Sequence, residues 1–365
     1  MKSNIDKFLK GGNEVSRATL SASKSHDLLV FIGRFQPLHK GHERVIRKAF
    51  EKSKNVLILI GSAETASSVR NPFSFEERRE MIQAVFPDAL IAGINDHTYN
   101  DTQWVVEVQK TVKRVALDIA NEGTGSFRPN GLNDIRIGLI GAEKDHTSYY
   151  LKLFPQWDNI SVPFLVPLNA TDIRQMWYEN DWDFSYLVPN VLSNEVYNLI
   201  FYQDNKHERL AVEYEFIKSY SQTWGKGPFL TADALVQVGG NILLIKRGRE
   251  YGHGLYALPG GFLGSNEKFL DGAIRELKEE TRLKVPVPVL KGSLAGVMIC
   301  DDPHRSERGR IVTACHHFKL ENEIELPEVR GSDDADWAGF VDFSELSEKD
   351  FFEDHYHIIR KMIGA

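Results

Sequence analysis

Hydrophobic residues follow different patterns in the two halves of the chain. In the first half, short apolar runs at residues 28–32 and 56–60 are separated by a segment whose apolar residues recur at helical spacing. This order is typical of a βαβ unit, in which the two strands lie parallel. In the second half, apolar runs at residues 234–238 and 242–245 flank a Gly-Gly-Asn turn, which predicts a β-hairpin. The pattern as a whole predicts an α/β protein.

A polar stretch near the middle of the chain marks the domain boundary. The strand–helix alternation ends near Tyr202, residues 203–209 are polar, and a short helical segment then leads to a Trp-Gly-Lys-Gly-Pro turn. We therefore predict two domains with a linker, which suits a chain of 365 residues. The predicted parts are a mobile tail over residues 1–26, a first domain over 27–205, a linker over 206–227 and a second domain over 228–365. Residues 121–134 are rich in turn formers and read as an insertion.

Composition narrows the class of partner. The net charge is −7, which argues against a general surface for nucleic acid or acidic membranes, so anionic small molecules would need local cationic pockets. Two cysteines are too few for a disulfide framework and suit a reducing, cytoplasmic setting. The chain has no apolar run long enough to span a membrane, and its first residues lack the apolar core of a signal peptide. The sequence does not determine the oligomeric state, and a homo-oligomer is one of the alternatives.

The first chemical motif lies directly after the first apolar run. Residues 33–42 read GRFQPLHKGH, and a helical pattern follows them. The motif is therefore a strand-to-helix turn at the carboxyl end of a strand, where ligands collect in open α/β sheets. The unpaired N–H groups of the helix start, the imidazoles of His39 and His42, and the cations Arg34 and Lys40 together form an anion site.

Three further segments of the first half carry candidate site residues. Arg70 and Asn71 precede a Pro-Phe-Ser helix start, and Asn100 and Asp101 precede Trp104 at the start of another helix. Residues 169–174 read NATDIR, in which Asn169 or Thr171 can cap a helix and Arg174 points back toward its start. A tryptophan at a helix start is either a core residue or an aromatic platform for a flat cationic ring, and the sequence leaves both interpretations open.

These segments resemble the signatures of one enzyme superfamily. Residues 33–42 resemble the HxGH signature of the nucleotidylyltransferases, and their GRFQP form is similar to that of the archaeal-type nicotinamide mononucleotide (NMN) adenylyltransferases. Residues 169–174 resemble the second signature, ISSTxxR, with Asn and Ala where Ser is usual. The resemblance implies a Rossmann-like domain, a parallel sheet with helices on both faces, which binds ATP, NMN and Mg²⁺. It assigns catalysis to Arg34, His39, His42 and Arg174, ATP binding to Gly33, Phe35, His39, His42, Thr171 and Arg174, and NMN binding to Arg70, Asn71, Asn100, Asp101 and Trp104.

The second half contains an acidic motif with regular spacing. Glu276, Glu279 and Glu280 stand at i, i+3 and i+4, which places them on one face of a helix. Three like charges there would repel one another unless cations intervene, and oxygen ligands favour Mg²⁺ or Mn²⁺. Arg275 can hold Glu267 in a bidentate pair.

This motif resembles the Nudix box, Gx5Ex7REUxEExGU, at every named position except Arg282, which stands where the box has Gly. The resemblance implies an α/β/α sandwich with a mixed sheet. It assigns metal binding to Gly260, Glu276, Glu279 and Glu280, catalysis to Glu279 and Glu280, support to Gly261, Glu267 and Arg275, and a candidate base to Asp333 or Asp334.

Together the two halves resemble the bacterial bifunctional NMN adenylyltransferase/Nudix hydrolases. The resemblance implies that the first domain makes NAD and pyrophosphate from NMN and ATP, and that the second cleaves ADP-ribose to AMP and ribose 5-phosphate. Two alternatives stay open. The domains could act on other substrates, such as another phosphomonoester, NADH or a dinucleoside polyphosphate, or the Nudix half could be a non-catalytic sensor of ADP-ribose.

Overall fold

The computed structural model describes residues 24–122, 135–143, 153–163, 169–179, 184–201, 204–321 and 326–364. The predicted N-terminal tail lies outside the described residues up to residue 23, and so does the predicted insertion beyond residue 122. Within the described part of the chain, no helix combines the length and the apolar character needed to cross a membrane.

The first domain is built on five parallel strands in the order β3-β2-β1-β4-β5. Its elements are β1 (His26–Gly33), α1 (Lys40–Lys52), β2 (Ser53–Ile60), α2 (Phe75–Val85), β3 (Leu90–Gly93), α3 (Asp101–Glu122), β4 (Ile137–Glu143), β5 (Asp158–Pro163), α4 (Ala170–Tyr178), α5 (Phe184–Asn190), α6 (Asn194–Phe201) and α7 (Asp204–Trp224). The predicted parallel pairing of the first two strands is confirmed. The strand order changes direction at β1 and β4, which is the point where open α/β sheets bind ligands.

Both faces of this sheet are covered by helices, because successive side chains of a strand point in opposite directions. On one face, Leu29 of β1 belongs to a buried cluster with Val45 of α1. On the other face, Leu28 belongs to a second cluster with Val112 of α3. The expected Rossmann-like arrangement, with helices on both faces, is confirmed.

Helix α7 corrects one expectation about the middle of the chain. The short helical segment predicted there is a helix of 21 residues that takes up most of the predicted linker. Leu210 of this helix is fully buried in the core of the first domain, and the ring of Tyr214 stacks on that of Tyr178 with centroids 5.1 Å apart. Residues 203–209 are polar, and their contacts with α4 include the hydrogen bond between the His207 ring and the Trp177 carbonyl oxygen at 2.7 Å.

The second domain is a mixed sheet with the path β10-β11-β6-β7-β12, to which β8 adds on β7 and β9 on β6. Strands β6 and β11 are parallel and the other pairs are antiparallel. The elements are β6 (Phe229–Val238), β7 (Asn241–Arg247), β8 (Tyr256–Ala257), β9 (Gly260–Phe262), α8 (Phe269–Thr281), α9 (Val287–Gly292), β10 (Leu294–Cys300), β11 (Ile311–Leu320), β12 (Ala335–Asp342) and α10 (His355–Ile363). The predicted hairpin is confirmed as β6 and β7.

Two helices cover opposite faces of the second sheet. Leu277 of α8 packs in one buried cluster with Val236 of β6, whereas Ile358 of α10 packs in another with Leu235. Because Leu235 and Val236 are neighbours on a strand, the two helices lie on different sides of it. The domain is therefore the expected α/β/α sandwich.

The last segment of the chain, residues 347–363, is α-helical only in part. Helix α10 begins only at His355, and two 3-10 turns, Phe343–Glu345 and Glu348–Asp350, precede it. Ser347 and Asp350 form a capping box that closes the second turn. Residues 351 and 352 then follow in an irregular stretch that buries both phenylalanines, in two different clusters.

Candidate active sites

A buried arginine holds the strand ends of the first domain in place. Arg78 of α2 is 1% exposed, and its guanidinium donates hydrogen bonds to the carbonyl oxygens of Arg34 (2.9 Å), Gly61 (2.7 Å) and Ser62 (2.8 Å). These carbonyls lie where β1 and β2 end. Sequence reasoning missed Arg78. Its signal was the spacing of three and four residues to the buried pair Met81 and Ile82, which places a charged residue on the apolar face of α2.

The two histidines of the first motif stack on each other at the start of α1. Their ring centroids are 3.8 Å apart with an interplanar angle of 27°. His39 is the N-cap, and its Nδ1 accepts the backbone N–H of Gly41 at 3.1 Å. An Nδ1 that accepts leaves Nε2 as the donor in the neutral ring. Phe35 packs against His42 with centroids 4.9 Å apart, and its backbone has a positive φ of 53°.

Arg174 joins the second motif to the first. Its Nη1 donates to the carbonyl oxygen of Gln36 at 2.7 Å, and its Nη2 donates to Thr171 Oγ1 at 3.2 Å. The predicted cap of α4 is Asn169, whose Oδ1 accepts the N–H groups of Thr171 and Asp172. Burial lowers the pKa of Arg174 to about 10, so the group stays protonated at neutral pH.

Gln36 ties the same turn to the segment before α2. Its amide donates to the carbonyl of Phe73 at 2.8 Å and accepts the N–H of Phe73 at 2.9 Å. A side chain at Gly33 would come within 3.0 Å of the Phe35 ring, so the turn is closely packed on its inner side. The loop after β1 is thus fixed by α2, by α4 and by the Pro-Phe segment.

A cavity of about 980 Å³ opens beside this turn. Its walls include seven of the predicted site residues, Arg34, Arg70, Asn71, Asp101, Trp104, Thr171 and Arg174. Gly33, Phe35 and the two histidines lie outside this lining. Asn100 also lies outside it, because its amide is engaged with Gln103 at the start of α3, accepting the backbone N–H at 3.3 Å and donating to the side chain at 3.0 Å.

The position of Trp104 is compatible with both interpretations that the sequence left open. The residue is half-buried and packs on the core, with its ring centroid 6.0 Å from that of Phe154, and it also lines the cavity. Asn71 presents a buried Oδ1 for which the described residues supply no hydrogen-bond partner. A buried acceptor of this kind costs free energy unless a donor reaches it. A ligand amide would supply that donor.

In the second domain, Arg275 gathers three carboxylates. It forms the predicted bidentate pair with Glu267 at 2.8 and 2.9 Å, and its Nη1 donates to Glu276 at 2.7 Å and to Glu279 at 2.9 Å. The pair with Arg275 lowers the pKa of Glu267 to about 2. The repulsion expected on the acidic helix face is therefore already offset for Glu276 and Glu279 by a cation of the protein itself.

Glu280 stands apart from this cluster. It is 5% exposed, accepts the N–H of Gly260 at 3.0 Å, and has its pKa raised to about 8 by burial. The Gly-Gly segment approaches the carboxylates so closely that a side chain at Gly261 would lie 2.5 Å from an oxygen of Glu276. A Cβ at Gly260 would instead meet Asp233 and the carbonyl oxygen of Ala232 in β6, so neither glycine has room for a side chain.

Arg282 stands where the Nudix box has Gly, and neighbouring residues accommodate its side chain. Arg282 caps α8 in the left-handed conformation with φ 53°, the position that usually falls to glycine. A left-handed residue with a side chain costs about 1 kcal/mol. The guanidinium donates to Ser332 Oγ at 2.9 and 2.6 Å, which offsets part of this cost and fixes the loop before β12.

That loop carries the two candidate bases. The negative charges of Asp333 and Asp334 are among the causes that raise the pKa of Glu276 and Glu280, respectively, after burial as the main cause. Asp334 is paired with Arg249, whereas no ion pair of Asp333 is found among the described residues. Both carboxylates thus lie within electrostatic reach of the acidic helix face.

The donor set suits a hard divalent cation. Glu276, Glu279, Glu280 and the backbone of Gly260 offer only oxygen ligands, and the close approach of β9 to α8 keeps them together. Among the residues that the structure describes, no three His, Cys, Asp or Glu side chains already form a complete metal-ligand group. Glu276 and Glu279 would have to turn from Arg275 to complete one.

Comparison with known proteins agrees with this architecture. A cytidylyltransferase-like family model matches residues 30–123 and a NUDIX domain model matches residues 228–362. A bifunctional NMN adenylyltransferase/ADP ribose pyrophosphatase from Francisella tularensis has a crystal structure that aligns with a TM-score of 0.82 at 33% identity, covering 93% of this chain and 99% of that chain. A second crystal structure, of such an enzyme complexed with AMP and Mn ion, gives a TM-score of 0.81 at 32% identity over the same shares.

Each half of the chain also has relatives that are named for one activity only. The nicotinamide/nicotinic acid mononucleotide adenylyltransferase of Acinetobacter baylyi is 39% identical over 158 residues, 42% of this chain and 76% of the relative. The ADP-ribose pyrophosphatase of Methanocaldococcus jannaschii is 36% identical over 133 residues, 36% of this chain and 72% of the relative. The fold and both sites thus define a nucleotidylyltransferase joined to a Nudix hydrolase. The chain belongs to the family of bifunctional NMN adenylyltransferase/ADP-ribose pyrophosphatases.

Proposed function

We propose that the first domain transfers the adenylyl group of ATP to NMN, giving NAD and pyrophosphate. The observation that carries this proposal is the hydrogen bond from Arg174 to the Gln36 carbonyl, which brings the two motifs together at the carboxyl end of β1. In this reaction a phosphate oxygen of NMN attacks the α-phosphorus of ATP, the bond to the pyrophosphate breaks, and no covalent enzyme intermediate is needed.

Alignment and charge compensation are the contributions of the protein in such a transfer. Arg34 and Arg174 lie on the cavity wall, where they would hold the triphosphate. The neutral His39, with Nε2 as its donor, and His42 at the helix start would stabilise charge that develops on the phosphate oxygens. Trp104 and Asn71 would receive the nicotinamide ring and its amide. A Mg²⁺ ion would shield the departing pyrophosphate.

We further propose that the second domain hydrolyses ADP-ribose to AMP and ribose 5-phosphate. The three glutamates of α8 and the Gly260 backbone would hold Mg²⁺ or Mn²⁺ there. A bound divalent cation would neutralise the diphosphate and acidify a water molecule. Arg275 orients Glu267, Glu276 and Glu279 in the described structure, and Asp333 is the candidate to accept a proton from that water.

Product analysis of the full-length chain tests both proposals. We expect NAD and pyrophosphate from NMN plus ATP, and AMP plus ribose 5-phosphate from ADP-ribose, each only with a divalent cation. Nicotinate mononucleotide, NADH and a dinucleoside polyphosphate complete the panel. A faster reaction with one of these three would assign that domain to the other substrate, and no turnover in the panel would contradict the proposed activities.

A further inference from the structure

The cavity beside the first active site is lined by both domains. Besides the adenylyltransferase residues, its wall includes residues from three stretches of the Nudix domain, 251–255, 302–307 and 348–357. The Nudix domain therefore forms part of the chamber into which Arg34, Trp104 and Arg174 face. The acidic helix face of the Nudix box does not line this chamber.

One Nudix carboxylate holds the loop that carries two predicted NMN-binding residues. Glu307 Oε1 accepts the hydroxyl of Ser68 at 2.6 Å, and its two oxygens accept the backbone N–H of Arg70 at 3.0 and 3.1 Å. The Arg70 side chain also donates to the backbone carbonyl of His304, at 2.7 Å. Ser68 in turn accepts the N–H of Asn71 at 3.2 Å, so the chain of hydrogen bonds runs from Glu307 to Asn71.

Two further hydrogen bonds join loops of the first domain near residues 68–71 to the Nudix domain. Thr65 donates to Glu348 at 2.6 Å, and the hydroxyl of Tyr99 donates to Asp354 at 2.5 Å. Asp354 is itself held by the buried guanidinium of Arg305 at 2.8 and 2.9 Å. The loops before α2 and before α3 are thus both attached to the Nudix domain.

Glu307 also faces the cations of the first site. Burial lowers the pKa of Arg34 and Arg174, and the charge of Glu307 is among those that oppose this lowering. Arg70 brings a third guanidinium to the same wall. Burial raises the pKa of Glu307 itself, and the charge of Arg70 is among the causes that lower it. Glu307 is therefore a carboxylate from the other domain that interacts with this group of arginines and orders their loop.

We propose that Glu307 of the Nudix domain is a positioning residue for the adenylyltransferase reaction. Its carboxylate holds the Ser68–Asn71 turn in the arrangement that binds NMN, so the first active site is complete only with the second domain docked. This inference rests on the proposed NAD synthesis. It predicts that a change in the Nudix domain, remote from the Nudix box, alters the kinetics of the other reaction.

The test compares Glu307→Ala and Glu307→Gln with Glu328→Gln, which changes an exposed Nudix glutamate paired only with Lys284 among the described residues. Because hydrogen bonds to a charged group are stronger than those between neutral groups, we expect Glu307→Ala to raise the KM for NMN about tenfold or more. Glu307→Gln, which keeps an acceptor for Ser68, should give a smaller rise. The KM for ATP should change less, ADP-ribose hydrolysis should persist, and Glu328→Gln should match the parent.

A second variant removes the hydrogen bond between Ser68 and Glu307 by a substitution in the first domain. Ser68→Ala should also raise the KM for NMN. The double variant with Glu307→Ala should raise it by less than the product of the two separate effects, because both substitutions remove the same hydrogen bond between Ser68 and Glu307. This variant decides the matter if Glu307→Ala does not fold. An unchanged KM for NMN in Ser68→Ala and in the folded Glu307 variants overturns the inference, as do equal rises for NMN and ATP. Absence of NAD synthesis in the parent would instead contradict the proposed function.

Discussion

Nη1 of Arg174 lies 2.7 Å from the carbonyl oxygen of Gln36, although 138 residues separate the two along the chain. This bond places the start of α4 against the loop after β1, and Arg34, Thr171 and Arg174 line one cavity. An arginine with two donors in a fixed plane can hold the loop carbonyl with one nitrogen and keep the other for a phosphate or for Thr171.

The Arg174→Lys variant tests whether Arg174 acts through the hydrogen-bond geometry of its guanidinium group or through its positive charge alone. Lysine keeps the positive charge but has no planar fork, so it cannot reach Gln36 and a phosphate in the same way. We expect NAD formation to fall on the order of a hundredfold, as for other losses of a preorganised charge-stabilising group. Arg44→Lys, at an exposed position of α1, is the matched control. Equal rates in the two variants would show that the Arg174 fork is not needed.

Arg78→Met should destabilise the first domain. The substitution removes the donors to Gly61 O and Ser62 O, and each buried carbonyl left unsatisfied costs about 1–3 kcal/mol. We expect the free energy of unfolding in urea to fall by about 2–4 kcal/mol. Arg79→Met is the control, because the neighbouring Arg79 is exposed, pairs with Glu76 at the surface and lies over the Phe75 ring at 5.9 Å. Such pairs contribute at most about 1 kcal/mol, so equal losses would refute the role of Arg78.

Trp104→Ala should weaken NMN binding more than ATP binding. Stacking of a flat base on an aromatic side chain is worth about 1–3 kcal/mol, so the KM for NMN should rise about tenfold or more. Trp157→Ala serves as the control, because Trp157 packs on the same Phe154 ring (4.8 Å between centroids) and does not line the cavity. If both variants change the two KM values alike, Trp104 is a core residue and not a platform.

His355 should make the Nudix domain sensitive to acid. Burial lowers the pKa of His355 to about 3, and its Nδ1 accepts the N–H of Leu258 at 3.1 Å, which requires the unprotonated ring. An unfolded histidine has a pKa of about 6.5. Because the folded pKa is the lower one, the contribution to stability is complete above pH about 6.5 and is lost as the pH falls toward about 3.

At pH 5, the protonation of His355 lowers the free energy of unfolding by about 2 kcal/mol relative to neutral pH. His355→Asn removes the titrating group and places an oxygen near the position of Nδ1. We expect the difference in unfolding free energy between pH 7.5 and pH 5.0 to be smaller in the variant by about that amount. The carboxylates contribute equally to both proteins, so an unchanged difference would mean that His355 does not stay neutral in the folded state.

The sequence predicted those site residues whose partners are close along the chain. Glu267 and Arg275 meet because a short loop leads directly into α8, and the spacing of three and four residues places Glu276, Glu279 and Glu280 on that helix. Position 39 caps α1 because a strand-to-helix turn must satisfy the free N–H groups of the helix. Local geometry decides these positions, and local geometry can be read from spacing.

The residues that escaped prediction act over long range. Glu307 is 239 residues from Ser68, and only the docking of the two domains brings them together. Arg78 looks like one of several charges at a helix start until the fold buries it under β1 and β2. Asn100 is engaged with Gln103 at the start of α3, and its predicted role in NMN binding stays a prediction. Asn, Asp, Ser and Thr side chains are favoured as caps at helix starts, which gives such a residue a structural role independent of any ligand.

The central claim is that one chain carries two chemically separate active sites, and one pair of variants tests it most directly. His42→Ala and Glu280→Gln are each assayed for NAD formation and for ADP-ribose hydrolysis beside the parent. We expect His42→Ala to lose NAD formation on the order of a hundredfold or more while ADP-ribose hydrolysis persists. We expect the reverse for Glu280→Gln, because a neutral amide is a poor ligand for a hard cation. Loss of both activities in either variant, or near-parental rates in both, would contradict the account.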